Sequence, residues 1–207
     1  MIAAAPLFAQ AQNLIVNGTF ETPVVAGKTF TFFGSITGWS TSNQIEIRRN
    51  WIGTAEDGKS FAEPDTTGVH SNSSTWQDIA TQVGATYTFS FWFSNRPYMS
   101  NDDRSPVPAS TSGLNWAFAS TTGSTAAQPK ITDGDNDWVL FTENIVAIRT
   151  TTRVMFTATG TADGLDSSLD NVSVTLPAAA PVPEPASYAL LAPGLGAVDF
   201  AARRRRG

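Results

Sequence analysis

The sequence predicts an all-β domain of the sandwich or jelly-roll type, and three observations carry that expectation. Short segments rich in β-branched and aromatic residues recur along the chain, separated by clusters of Gly, Pro, Asn, Asp and Ser. No segment sustains the apolar period of a normal amphipathic helix. The composition, with 16 Gly, 12 Pro and only 15% charged residues in 207, suits strands joined by polar loops. No internal repeat is present.

The elements follow in order. Asn13–Gly18 reads as a short first strand ending in a turn, and Thr29–Phe33 as a β-prone run. Gln44–Ile47 alternates apolar and polar residues, as a half-buried strand does. Ala55–Lys59 is a turn signal that leads into Ser60–Glu63, and Thr75–Ala80 is a further strand. The clearest strand is Thr86–Phe93. Alternation places Tyr87, Phe89, Phe91 and Phe93 on one face and Thr88, Ser90 and Trp92 on the other. Burying a Phe contributes about 1.5–3 kcal/mol, so this strand is expected at the centre of the core. Residues 97–113 are rich in Pro, Ser, Asn and Asp and read as a long loop. Leu114–Ala119 is a strand, 123–134 a loop, and Asp137–Ile148, Thr152–Gly160 and Leu169–Leu176 are the last three strands.

The two ends have a different character. Residues 1–11 are apolar and close on Ala9 and Ala11 in the spacing of a secretory cleavage site. The basic segment of a leader is missing there, so the expectation is the remnant of a longer one. The domain is placed at 12–176, followed by an Ala/Pro linker at 177–181. Pro183-Glu184-Pro185 then precedes a short apolar run, Ala186–Ala202, and the cluster Arg203, Arg204, Arg205 and Arg206. The run is about as long as the shortest bilayer-spanning helices. Pro193, Gly194, Gly196 and Asp199 make it a poor lasting anchor, and four arginines favour the cytoplasmic side. A short transmembrane-type segment that stops in the membrane transiently is one reading; a solvated basic tail is the other.

Absence of cysteine excludes disulfides and thiolate metal sites. The net charge of −5 becomes −9 when the four terminal arginines are left out of the count. Such a body is a poor partner for nucleic acid, which demands a basic surface; its carboxylates suit metal ions or neutral ligands.

Six tryptophans stand out for a chain of this length. An indole offers an apolar plate to the C–H face of a sugar. Trp92 faces away from the phenylalanines, Arg96 and Tyr98 follow it, and Trp116 lies on a later strand, so these four are the candidate ligand face. The competing reading packs the tryptophans inward, which is common for each taken singly. Asp133–Asp137 begins like a calcium loop, but Trp138 stands where Gly is needed, so a solvated turn is expected. The single histidine, His70, sits in a loop, and no nucleophile-elbow pattern or histidine metal motif is present. The adjacent Asp102 and Asp103 do not make an acid/base pair by adjacency alone.

The tail from Val182 to Arg206 resembles the PEP-CTERM sorting signal of Gram-negative bacteria in the order of its triplet, apolar segment and arginines; Asp199 departs from that pattern. The resemblance implies processing by an exosortase, a transpeptidase-like membrane enzyme. It also implies transient inner-membrane insertion and delivery to the cell surface or its polysaccharide matrix. In the body, Asn13–Glu21, Ala55–Glu63, Thr86–Pro97 and Gly164–Val174 are together similar to galactose-binding-like β-sandwich domains. The likeness is greatest to bacterial surface proteins related to a plant cell-wall family of unknown function; the opening and closing fragments are shared with many carbohydrate-binding modules, so they specify fold better than ligand. Pro64 departs, standing where an apolar residue is usual. This resemblance implies a structural calcium ion shared by Glu21 and Asp170, with the turn at Asp57 supplying a carboxylate or carbonyls. The expected function is an exported, non-catalytic surface or matrix protein that binds an extracellular polysaccharide or cell-wall glycan. A purely structural matrix component is the alternative, and a glycan-active enzyme a more distant one.

Overall fold

The alternating segments fold into antiparallel strands in a computed structural model that describes residues 11–64, 72–97, 113–125, 131, 134–160 and 167–177. Ten strands are described: β1 (Thr29–Ile36), β2 (Trp39–Arg49), β3 (Ser60–Glu63), β4 (Ser74–Ala80), β5 (Thr86–Ser94), β6 (Gly113–Phe118), β7 (Thr121–Ser124), β8 (Val139–Val146), β9 (Thr151–Thr159) and β10 (Ser168–Thr175). Hydrogen bonding orders them β7-β6-β9-β4-β2-β3-β10-β5-β8, with β1 paired to β2. The strand β2 joins the two layers of the sandwich. Its Ser40 and Thr41 pair with β4, while Glu46–Arg49 pair with β3. One layer is therefore β7-β6-β9-β4 and the other β3-β10-β5-β8.

The inner faces of the layers meet in an aromatic core. Tyr87, Phe89, Phe91 and Phe93 of β5 are all buried, as their spacing predicts. Phe89 lies 5.4 Å from Phe118 of β6 and 6.1 Å from Phe156 of β9. Phe91 stacks on Phe141 at 4.7 Å and meets Phe156 edge-on at 4.9 Å. Each contact crosses or extends the layer on which β5 sits, so this strand anchors the sandwich.

Two elements differ from the sequence reading. Asn13–Gly18 is not a regular strand; it is laid against β10 by a bridge from Asn13 to Thr175 and by amide bonds from Leu14 to Val174 O and from Val172 to Gly18 O. A β-carbon on Gly18 would fall 2.1 Å from Val172 O, so only glycine allows this approach. The second difference is β7, which falls partly within the segment expected to be a loop. Its Gly123 faces Trp116 of β6, whose indole fills the space a side chain would need. A Thr-Thr-Gly-Ser run reads as a turn until that partner is known.

A buried ionic cluster ties the second layer together. The Arg48 guanidinium lies 2.6 Å from Glu46 and 3.1 Å from Glu63, and Arg96 lies 3.4 Å from the other Glu63 oxygen. The Ser168 hydroxyl donates to Glu63 at 3.3 Å, which brings β10 into the same cluster. Among the described residues no helix is long and apolar enough to cross a membrane. The leader-like residues 1–10, His70, Tyr98, Asp102, Asp103, Asp133 and the tail from 178 to 207 lie outside the described residues.

Candidate functional site

Of the residues expected to form one ligand face, the three described ones, Trp92, Arg96 and Trp116, do not share an exposed face. Trp92 is half-buried and points away from the aromatic core, opposite Asp170 and Leu140 in the neighbouring strands. Arg96 is only 4% exposed and committed to Glu63. Trp116 is only 5% exposed and packs into the core, 4.7 Å from Phe141 and 5.7 Å from Phe89. Leu114, Trp116 and Phe118 alternate onto the inner face together, so Trp116 belongs to the competing inward reading. Tyr98 lies outside the described residues.

A different surface has the features of a ligand site. It is the outward face of β4, β9, β6 and β7, where the strand registers line side chains up in rows. One row is polar: Ser74, Thr157, Asn115 and Ser124. The Ser74 and Thr157 hydroxyls are 2.8 Å apart, and the Ser124 hydroxyl donates to the side-chain Oδ1 of Asn115 at 2.6 Å. The next row is mainly apolar: Trp76, Met155, Ala117 and Thr122. Beyond it Asp78 pairs with Arg153 through two bonds of 2.7 Å. The Arg153 guanidinium also lies over the Trp76 ring, 5.1 Å from its centre. The Arg153 hydrogen bonds hold the Asp78 carboxyl below its ordinary range, and Asp78 raises Arg153 in turn, so both stay charged. A hollow of about 390 Å³ lies over Asn115, Ala117, Ser124, Met155 and Thr157. The small side chain of Ala117 between Met155 and Thr122 provides its floor.

A second cluster surrounds the turn at residues 55–59. The Glu21 carboxylate accepts from the Lys59 amide at 2.6 Å and the Ser60 amide at 2.7 Å. Asp170 accepts from the Glu56 amide at 2.9 Å and the Asp57 amide at 3.1 Å, and from the Asn171 amide at 2.7 Å. Asp57 thus enters through its amide, which donates rather than coordinates. The nearby carboxylate is that of Glu56, which accepts from the Asn171 side chain at 2.9 Å; the sequence reading passed over it. Asp170 is fully buried, and burial pushes its carboxyl up to about 8, with a smaller push from the charge of Glu56 and opposition from the three amides. Gly58 has a φ of 75°, in the left-handed region, and a β-carbon there would lie 2.5 Å from Glu21. The aspartate-rich stretch serves a third purpose: Asp135 accepts from the Thr54 amide at 2.7 Å and the Thr54 hydroxyl at 2.8 Å, clasping two loops.

The comparisons with known proteins fall on both parts of the chain. Residues 181–206 match the family described as the PEP-CTERM protein-sorting motif. A family 61 carbohydrate-binding module, solved in complex with β-1,4-galactotriose, is similar with a TM-score of 0.52 and 11% identity, over 80% of this chain and 99% of that one. A family 16 carbohydrate-binding module gives a TM-score of 0.45 and 15% identity over 78% and 99% of the two chains. No curated protein matches the sequence. The chain carries a PEP-CTERM protein-sorting motif, and its body is a β-sandwich similar in fold to carbohydrate-binding modules.

Proposed function

We propose that this is an exported, non-catalytic surface or matrix protein that binds a glycan on the outward face of β4, β9, β6 and β7. One observation supports it above others: an apolar row of Trp76, Met155 and Ala117 lies between a row of hydroxyl and amide groups and a fixed ion pair. A pyranose ring has a C–H face that suits an apolar strip and hydroxyls around its rim that suit polar neighbours. Sorting through the C-terminal motif accords with such a role, since it would bring the sandwich to the polysaccharide outside the cell. An exosortase-type enzyme would act at Pro183-Glu184-Pro185 after the apolar run has entered the inner membrane of a Gram-negative cell. The test is a glycan array with the full chain, followed by affinity electrophoresis on the best ligand. Trp76→Ala is expected to weaken binding about tenfold or more, the scale of one lost aromatic contact. Binding that is unchanged in this variant removes the face from consideration.

The turn at 55–59 is a second part of the proposal, as a structural calcium site. Glu21 and Asp170 would hold the ion. Glu21 Oε2 has only a 3.4 Å contact with the Ser60 hydroxyl, and Asp170 Oδ1 accepts one amide, so each oxygen keeps a lone pair for a cation. A cation would also keep the buried Asp170 ionised. Among the described residues no three acidic or histidine side chains form a cage, so backbone carbonyls and water would complete the six to eight oxygens that calcium takes. When bound, the ion would tie the segment after Asn13–Gly18 to β10 and to the turn.

A further inference from the structure

The proposed glycan face continues past the Asp78–Arg153 pair into a second hollow, of about 470 Å³, at the end of β9. It is lined by Asp78, Ser120, Arg149, Thr151 and Arg153 among others. Its charge differs from that of the chain as a whole, which is −5. Arg153 is neutralised by Asp78. Arg149 is exposed in the turn between β8 and β9, and among the described residues it has no carboxylate within ion-pair distance. The turn that carries it is fixed, because the Thr81 hydroxyl donates to the Arg149 carbonyl at 2.7 Å and the Thr81 amide donates to Thr150 O at 2.9 Å. The acidic groups Glu21, Glu56 and Asp170 lie elsewhere: Asp170 pairs with Trp92, near the far end of β5, whereas the β8–β9 turn packs beside the start of β5 through Gly84 and Ala147.

Resting on the reading of this face as a glycan site, we infer that the Arg149 hollow is a subsite for an anionic substituent, carboxylate or sulfate, on the bound polysaccharide. The guanidinium of Arg149 supplies a planar fork of donors that matches an oxyanion, and the Ser120 and Thr151 side chains lining the hollow offer hydroxyls beside it. The Asp78–Arg153 pair then has a role in selection. It separates the apolar strip from the cationic hollow, so a sugar on the strip directs one substituent past the pair toward Arg149. A neutral glycan uses the strip alone; an acidic one uses both.

The test compares oligogalacturonides with their methyl esters, which share a backbone and differ in charge, and adds a sulfated dextran beside neutral dextran. Binding to the full chain is measured by calorimetry at low and high salt. The acid is expected to bind about tenfold more tightly than its ester, with the preference shrinking as salt rises. Arg149→Gln should abolish the preference and leave binding of the ester unchanged, while Arg149→Lys, which keeps charge but loses the fork, should retain part of it. A preference confined to the sulfated pair supports the subsite and identifies sulfate as its group. Equal affinity for charged and neutral forms, or a preference that survives in Arg149→Gln, overturns the subsite and leaves the glycan face standing. No binding to any glycan overturns both.

Discussion

Asp170 shows how one side chain links folding, pH and a cation. It is fully buried, and burial raises its carboxyl from 3.8 to about 8. Below 3.8 the folded and unfolded chains both hold the proton. Above it the unfolded chain releases the proton while the folded chain keeps it, so stability is complete in acid and declines as pH rises toward 8. In chelator the melting temperature is therefore expected to fall between about pH 5 and pH 8, and in Asp170→Asn that slope should flatten. Calcium should raise the wild-type melting temperature at the upper end, because a cation takes the place of the proton. A melting temperature indifferent to calcium at about pH 8 would remove the ion from the turn. The sequence led to Glu21 and Asp170 through a resemblance, and the structure brings both to the same turn. Glu56 was hidden because its carboxylate is placed by Asn171, a residue far along the chain. Trp116 is different: its alternation with Leu114 and Phe118 already carries the signal for its burial.

At the scale of elements, strands were legible where alternation was strong. Tyr87 to Phe93 fixed both the existence of β5 and its buried face, because a period of two leaves one assignment for each side chain. Pairing was not legible. Nothing local to Arg96 announces that it lies beside Glu63, since β3 meets β10 and β10 meets β5 only after folding. The resulting cluster has two arginines and two glutamates, each with an opposite charge at hand. Removing one partner leaves a charge buried without compensation, which costs about 3–5 kcal/mol. Glu63→Gln, which strips the acid shared by Arg48 and Arg96, is thus expected to lower stability in urea by about that amount. A loss below about 1 kcal/mol would mean that water reaches the cluster and screens it as it does surface pairs. The same reasoning explains why Arg96 was misplaced as a ligand residue: a lone arginine after a strand reads as exposed until its acid is found.

On the scale of the whole molecule, sequence and structure divide the information between them. The tail declares its purpose in local order alone, since a triplet, an apolar run and an arginine cluster need no folding to be recognised, and the sorting motif matches at 181–206. The body declares its fold but not its ligand, because the proposed glycan face is assembled by register across β4, β9, β6 and β7, and no short stretch of sequence contains it. The two parts can therefore be tested apart. Replacing Pro183, Glu184 and Pro185 by alanines changes no residue of the body at 11–177, so the melting temperature and glycan binding are expected to be those of the wild type. In cells with the processing enzyme, however, the variant is expected to stay at the size of the unprocessed chain and in the membrane fraction, while the wild type is trimmed and reaches the surface. Both outcomes are read from one fractionation and blot. Trimmed variant at the surface in wild-type amount would show that the triplet is not what the enzyme reads, and would leave the apolar run and Arg203–Arg206 to carry sorting by themselves.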